Sequence, residues 1–143
     1  MEKLGLEGRI ERMAQRVAAQ GGKAFAAYFM AGDPDLETTF AGVRAAVAGG
    51  ASLIELGVPY SDPAADGPVI RRAGARALAA GVRMTDVFRL AARLRLAEPE
   101  TPIALMLYFN SVFCYGISRF FTDCESAGID ACIIPDLPLE EQD

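Results

Sequence analysis

The chain has 143 residues, 52% hydrophobic and 23% charged, with a net charge of -5 and no histidine. An acidic chain with only one local arginine cluster (Arg71, Arg72, Arg76) argues against a nucleic-acid partner, and no apolar run reaches the roughly 18 residues of a membrane span. The missing histidine excludes Ser-His and Cys-His nucleophiles and His-containing metal sites, so any acid–base chemistry must use carboxylates, Tyr, Lys or Cys.

The charged N-terminus lacks the apolar core of a signal peptide. Cys114, Cys124 and Cys132 form no CxxC pair, so they read as free, core-packing thiols of a reducing cytoplasm. Leu6, Ile10, Met13 and Val17 recur at helical spacing and predict an opening amphipathic helix. A strand follows from Lys23 to Met30, rich in aromatic residues. AGDPD predicts a turn, with Asp33 as N-cap and Pro34 at the first position of a helix that ends at Gly49 and Gly50. Ser52 to Gly57 is a second strand. A short helix from about Val69 to Ala79 stops at Gly81, and Thr85 caps the next helix. Ile103 to Leu107 reads as the third strand, Ile117 to Ala127 as a helix closed by Gly128, and Ala131 to Ile134 as the fourth strand. A further helix is expected to start in PDLPLEE.

Short apolar strands separated by helices predict parallel pairing through right-handed crossovers. Two α/β architectures fit: a doubly wound open sheet, or part of a (β/α)8 barrel. Both place function at the C-terminal ends of the strands, where Asp33, the Glu55–Asp66 segment, Tyr108 to Asn110 and Asp136 all fall. AGGASLIELGVP and SAGIDACIIPDLP form a weak internal repeat, which suits the barrel slightly better.

The segment SLIELGVPYSDPAADGP is the most informative. It sets Glu55 among Leu53, Ile54, Leu56 and Val58, where an unpaired carboxylate is costly and its pKa is expected to rise toward neutrality. Asp62 and Asp66 follow on a loop broken by Pro59, Pro63, Gly67 and Pro68, which can fold back over the strand end. Ordinary readings stand beside these. Glu55 could be ion-paired to Arg71 or Arg72, Asp62 and Asp66 could be turn formers, and Tyr28 and Tyr108 could fill core.

FMAGDPD, LIELGVPYSDPAADGPVIRRA, ALAAGV, YFNSVFCYGI and AGIDACIIPDLPLEE, in this order, closely resemble the tryptophan synthase alpha subunit family from about residue 10 onward. The resemblance implies a TIM-type parallel (β/α) barrel, here its first four βα units preceded by a helix, because a complete barrel needs roughly 200 residues or more. It also implies a truncated chain without the phosphate-binding loops that follow strands 6 to 8. The implied activity is retro-aldol cleavage of indole-3-glycerol phosphate to indole and glyceraldehyde 3-phosphate. Glu55 falls on the catalytic glutamate, Asp66 on the catalytic aspartate, Tyr28, Tyr108 and Ile133 on the indole pocket, and Pro59, Asp62 and Asn110 at or near the beta-subunit contact. The implied partner is the beta subunit of an alpha2beta2 complex, which carries pyridoxal phosphate; this chain is expected to hold no cofactor. The chain departs from common family residues at Ala27, Met30 and Cys114. Two other readings are open: a metal-assisted aldolase with Glu55, Asp62 and Asp66 around Mg²⁺, and a non-catalytic half-barrel that only binds a partner.

Overall fold

The computed structural model describes residues 8–138. In chain order they form α1 (Arg9–Ala19), β1 (Ala26–Met30), α2 (Leu36–Ala48), β2 (Leu53–Gly57), α3 (Pro68–Ala79), α4 (Met84–Ala97), β3 (Ile103–Met106), α5 (Phe109–Tyr115), α6 (Ile117–Ala127) and β4 (Ala131–Ile133). The strands make one parallel sheet in the order β1-β2-β3-β4. A doubly wound sheet reverses its strand order at a switch point; the four described strands do not, so they follow the sequential arrangement of a barrel.

Alternation along the strands separates two faces. Ile54 and Leu56 of β2 and Ile103 and Leu105 of β3 point under the helices, where they pack with Val43, Val87, Leu90, Leu94 and Phe120. The other face carries Tyr28, Glu55, Ala104 and Ala131 in one register layer, then Met30, Gly57, Met106 and Ile133 in the next. Met30 anchors a second, smaller cluster with Ala73 and Ala77 of α3, which seats that helix over the end of β1. Among the described residues no helix is long and apolar enough to cross a membrane.

Several expectations from the sequence are corrected. Asp35, not Asp33, caps α2: its carboxylate accepts from the Thr38 amide at 2.7 Å. Asp33 is instead gripped by Arg76 of α3, whose Nε and Nη2 both donate at 2.7 Å. That bidentate guanidinium holds the Asp33 carboxyl below the usual carboxylate range. Hence Arg76 is not a merely solvated side chain, although Arg71 and Arg72 are exposed. The N-cap of α4 is Arg83 rather than Thr85, because Asp86 reaches back to accept from the Arg83 amide at 3.0 Å. α5 was not anticipated, and Cys114 on it is exposed; Cys124 is buried in the core and Cys132 packs against it. Pro135 to Leu137 form a turn, and the rest of the expected PDLPLEE helix lies outside the described residues.

At the N-terminal ends of β3 and β4, Arg95 of α4 makes a clamp. Its guanidinium donates to the carbonyls of Gly128 (2.8 and 3.0 Å), Glu98, Pro99 and Thr101 and to Asp130 Oδ2 at 2.6 Å. Asp130 also accepts from the Ile103 amide at 2.8 Å and from Arg9 of α1 at 3.0 Å. Arg95 and Asp130 together therefore tie α1, the end of α4, the loop before β3 and the loop before β4 at the end of the sheet opposite the expected site.

Candidate active site

Glu55 leaves the middle of β2 on the face turned away from the large core cluster. Its strand neighbours Ile54 and Leu56, expected to surround it, point the other way because side chains alternate. Its real neighbours in register are Tyr28 of β1 and Ala104 of β3. Glu55 is half-buried, and among the described residues no ion pair reaches it from Arg71, Arg72 or any other cation.

The Tyr28 side chain runs along the sheet, and its hydroxyl lies directly over Gly57. A Cβ on residue 57 would overlap that oxygen, so glycine is required there for the tyrosine to lie flat. Burial raises the Tyr28 pKa far above the usual phenol range, reinforced by the carboxylates of Asp66 and Glu55 and by Tyr108. Tyr28 is therefore a neutral hydroxyl facing both acids. We expect Gly57→Ala to destabilise the fold by about 1–3 kcal/mol, the usual range for overpacking. Adding Tyr28→Phe should recover part of that loss in urea denaturation; no recovery would mean the clash is not with the tyrosine.

Asp66 arrives from the loop after β2, which folds back as its prolines and glycine suggested. The Ala65 amide donates to the Tyr108 hydroxyl at 2.9 Å, which places Asp66 beside that ring. Burial and the adjoining Asp66 carboxylate push the Tyr108 pKa up, with the Ala65 amide pulling the other way. Tyr108 itself is buried at the end of β3, so Glu55, Asp66, Tyr28 and Tyr108 converge on one wall. Ile133 belongs to the next layer and remains 38% exposed. Asp62 does not join them: it is exposed on the loop and accepts from the Ser61 hydroxyl at 2.6 Å. Among the described residues no three His, Cys, Asp or Glu side chains stand close enough to hold a metal ion, so the Glu55–Asp62–Asp66 triad is not assembled.

Pro59, expected near a partner surface, is buried, whereas Asn110 is exposed at the start of α5. Three features around the site take places that the sequence did not reveal. Tyr60 stacks on Tyr108 with ring centres 5.1 Å apart. Asp136 accepts from the Phe109 amide at 2.9 Å and so pins α5 to the loop after β4. Phe113 of α5 is 66% exposed, a large apolar side chain left in the open next to Asn110's helix face. A separate groove of about 390 Å³, walled by Tyr60, Ser61, Arg71 and Arg72 among others, reaches neither Glu55 nor Asp66.

The family model described as "Tryptophan synthase alpha chain" matches residues 14–143. The tryptophan synthase alpha chain of Alkaliphilus metalliredigens is 51% identical over 94% of this chain and 50% of its own length. That of Caldanaerobacter subterraneus subsp. tengcongensis is 48% identical over 94% of this chain and 51% of its own. The crystal structure of the alpha subunit from Legionella pneumophila superposes with a TM-score of 0.93 at 40% identity, covering 96% of this chain and 53% of that one. A tryptophan synthase structure from M. tuberculosis gives a TM-score of 0.88 at 36% identity over 94% of this chain and 53% of that chain. The four-stranded sheet thus matches part of a TIM barrel, and the chain spans about half the length of the curated relatives it matches. A family match over nearly the whole sequence, together with identities near one half, means that the chain belongs to the tryptophan synthase alpha chain family.

Proposed function

We propose that this chain supplies the acid–base centre of an indole-3-glycerol phosphate lyase, with Glu55 moving the protons and Asp66 anchoring the indole. In this reading the chain corresponds to the first four βα units of the barrel. Breaking the carbon–carbon bond requires a proton on indole C3 and removal of a proton from the adjoining side-chain hydroxyl. The acid form of Glu55 delivers the first proton; its carboxylate then takes the second as the bond breaks, which returns Glu55 to its starting form and releases indole and glyceraldehyde 3-phosphate. Protonation at C3 draws positive charge onto the indole nitrogen, and an ionised Asp66 accepting that N–H stabilises it. Tyr28, Tyr108 and Ile133 serve as walls of the indole pocket.

The observation that supports this reading is the convergence of two carboxylates, from β2 and from the loop after it, on the Tyr28–Tyr108 wall. The partner in this reading is a beta subunit, in an alpha2beta2 complex, which would hold the pyridoxal phosphate of the following reaction. Its contact would involve the exposed Asp62 and Asn110, with the buried Pro59 shaping the loop beneath them. The test is indole release from indole-3-glycerol phosphate by the intact polypeptide carrying this sequence, with and without a beta subunit. We expect release in both cases and no effect of EDTA. Activity lost to EDTA and restored by Mg²⁺ would favour a metal-assisted lyase. Complex formation without any indole would favour a binding module.

A further inference from the structure

We propose that Tyr60 is a positioning residue that ties Asp66 to Asn110, so that the loop after β2 and the start of α5 hold one shared geometry. The inference rests on the reading of Asp66 given above and adds the element that fixes its place.

The loop needs such an element because its backbone does little to hold it. Val58 still donates to the Met106 carbonyl at 2.9 Å, as a continuation of the sheet. Between there and Gly67, the one backbone–backbone bond donated by the loop among the described residues is the long contact from the Asp66 amide to Pro63 O, at 3.4 Å. Side chains must supply the rest, and Tyr60 sits at their centre. Its hydroxyl accepts from Asn110 Nδ2 at 3.2 Å. The Asn110 amide is turned the right way for this, since its Oδ1 faces Cys114 Sγ, a weak donor at 3.7 Å. The Tyr60 ring lies on Tyr108, with centres 5.1 Å apart and planes 28° from parallel. Tyr108 in turn accepts from the Ala65 amide at 2.9 Å, one residue before Asp66. The contacts close a circuit: residue 60 to residue 110, along the chain to residue 108, across to residue 65 and back. Asp136, bonded to the Phe109 amide, holds the far side of that circuit still.

Two substitutions separate the parts. Tyr60→Phe removes the bond to Asn110 and keeps the stack; Tyr60→Ala removes both. A loosened Asp66 costs transition-state stabilisation more than substrate binding, so kcat should fall with KM within about threefold. We expect a fall of about threefold for Tyr60→Phe and about 30-fold or more for Tyr60→Ala, within the range known for small misplacements of a positioned group. Asn110→Ala should reproduce Tyr60→Phe, and the double variant should be no worse than either single one, since both cut the same link. The experiment is steady-state indole release by the intact polypeptide carrying each substitution, with Glu55→Gln as the control. Additive effects of Tyr60→Phe and Asn110→Ala, or a Tyr60→Ala enzyme with unchanged kcat, would overturn the link while an inactive Glu55→Gln left the reading of the site standing. An active Glu55→Gln enzyme would overturn both. If Tyr60→Ala does not fold, the Tyr60→Phe and Asn110→Ala cycle decides.

Discussion

Glu55→Gln in the intact polypeptide should lower kcat for indole release by at least about 10³-fold, within the range that general acid–base groups contribute. The size follows from the double duty assigned to this side chain: the amide can neither give the proton to C3 nor take one from the hydroxyl. KM should stay within about threefold, because the amide keeps the shape of the carboxylate. The fold should also survive. Glu55 makes no ion pair among the described residues, and it sits on the face of the sheet away from the large core cluster, so no packing or buried charge is lost. Circular dichroism and a melting curve alongside the kinetics check this. Retention of more than a tenth of the activity would remove Glu55 from the mechanism. Asp66→Asn should cost less, about 10²-fold, because an amide oxygen still accepts the indole N–H without the charge that opposes the developing cation.

The second large effect concerns stability. Arg95→Ala should destabilise the folded chain by about 2–3 kcal/mol, the order expected when hydrogen bonds to a charged group are lost, while Arg9 still pairs with Asp130. Only 12% of the Arg95 side chain and 10% of Asp130 are exposed, so solvent can replace little of what is lost. Burial lowers the Arg95 pKa, with Asp130 opposing, yet a guanidinium stays charged in any working buffer. The truncation takes the guanidinium from the carbonyls of Glu98, Thr101 and Gly128, and leaves Pro99 O with Arg9 and Asp130 Oδ2 with the Ile103 amide. Gly128 is left-handed, with a φ of 72°, and a Cβ there would meet the Arg95 stem, so residue and clamp are fitted to each other. Urea unfolding of Arg95→Ala, Asp130→Ala and the double variant should show a double loss well below the sum of the singles. A cost under about 1 kcal/mol for Arg95→Ala would mean that water replaces the clamp. Below the melting temperature the variant should keep its kinetic constants, since none of the clamp's hydrogen bonds reaches Glu55, Asp66, Tyr28 or Tyr108.

The sequence made the strand and helix order legible wherever apolar periodicity ran long enough, and it marked Glu55 and Asp66 through residue type and motif. What it hid was mostly distant in the chain. AGDPDLETT offers two aspartates for one cap; Thr38 favours Asp35, and Asp33 is claimed by Arg76, 43 residues away, which no local window contains. Arg95 reads as an ordinary polar helix residue until the chain reverses and brings four carbonyls around it. α5 is seven residues long and meets α6 across Gly116, so the glycine looked like the start of a single helix after a loop. Glu55's surroundings were misjudged for a geometric reason: residues adjacent in a strand point to opposite faces, and only the register with β1 and β3 shows what lies beside it. Tyr60 was passed over because its partners are the ring face of Tyr108 and an amide on α5, both about 50 residues further along the chain.

The sequential order of the sheet bears on how the chain reaches its shape. Each strand pairs with the one made just before it, so every new βα unit emerging from the ribosome meets a template already in place. Pairing between sequence neighbours keeps loop closures short and their entropic cost low. Among the four described strands, growth can therefore proceed in the direction of synthesis, one unit added to the advancing edge at a time.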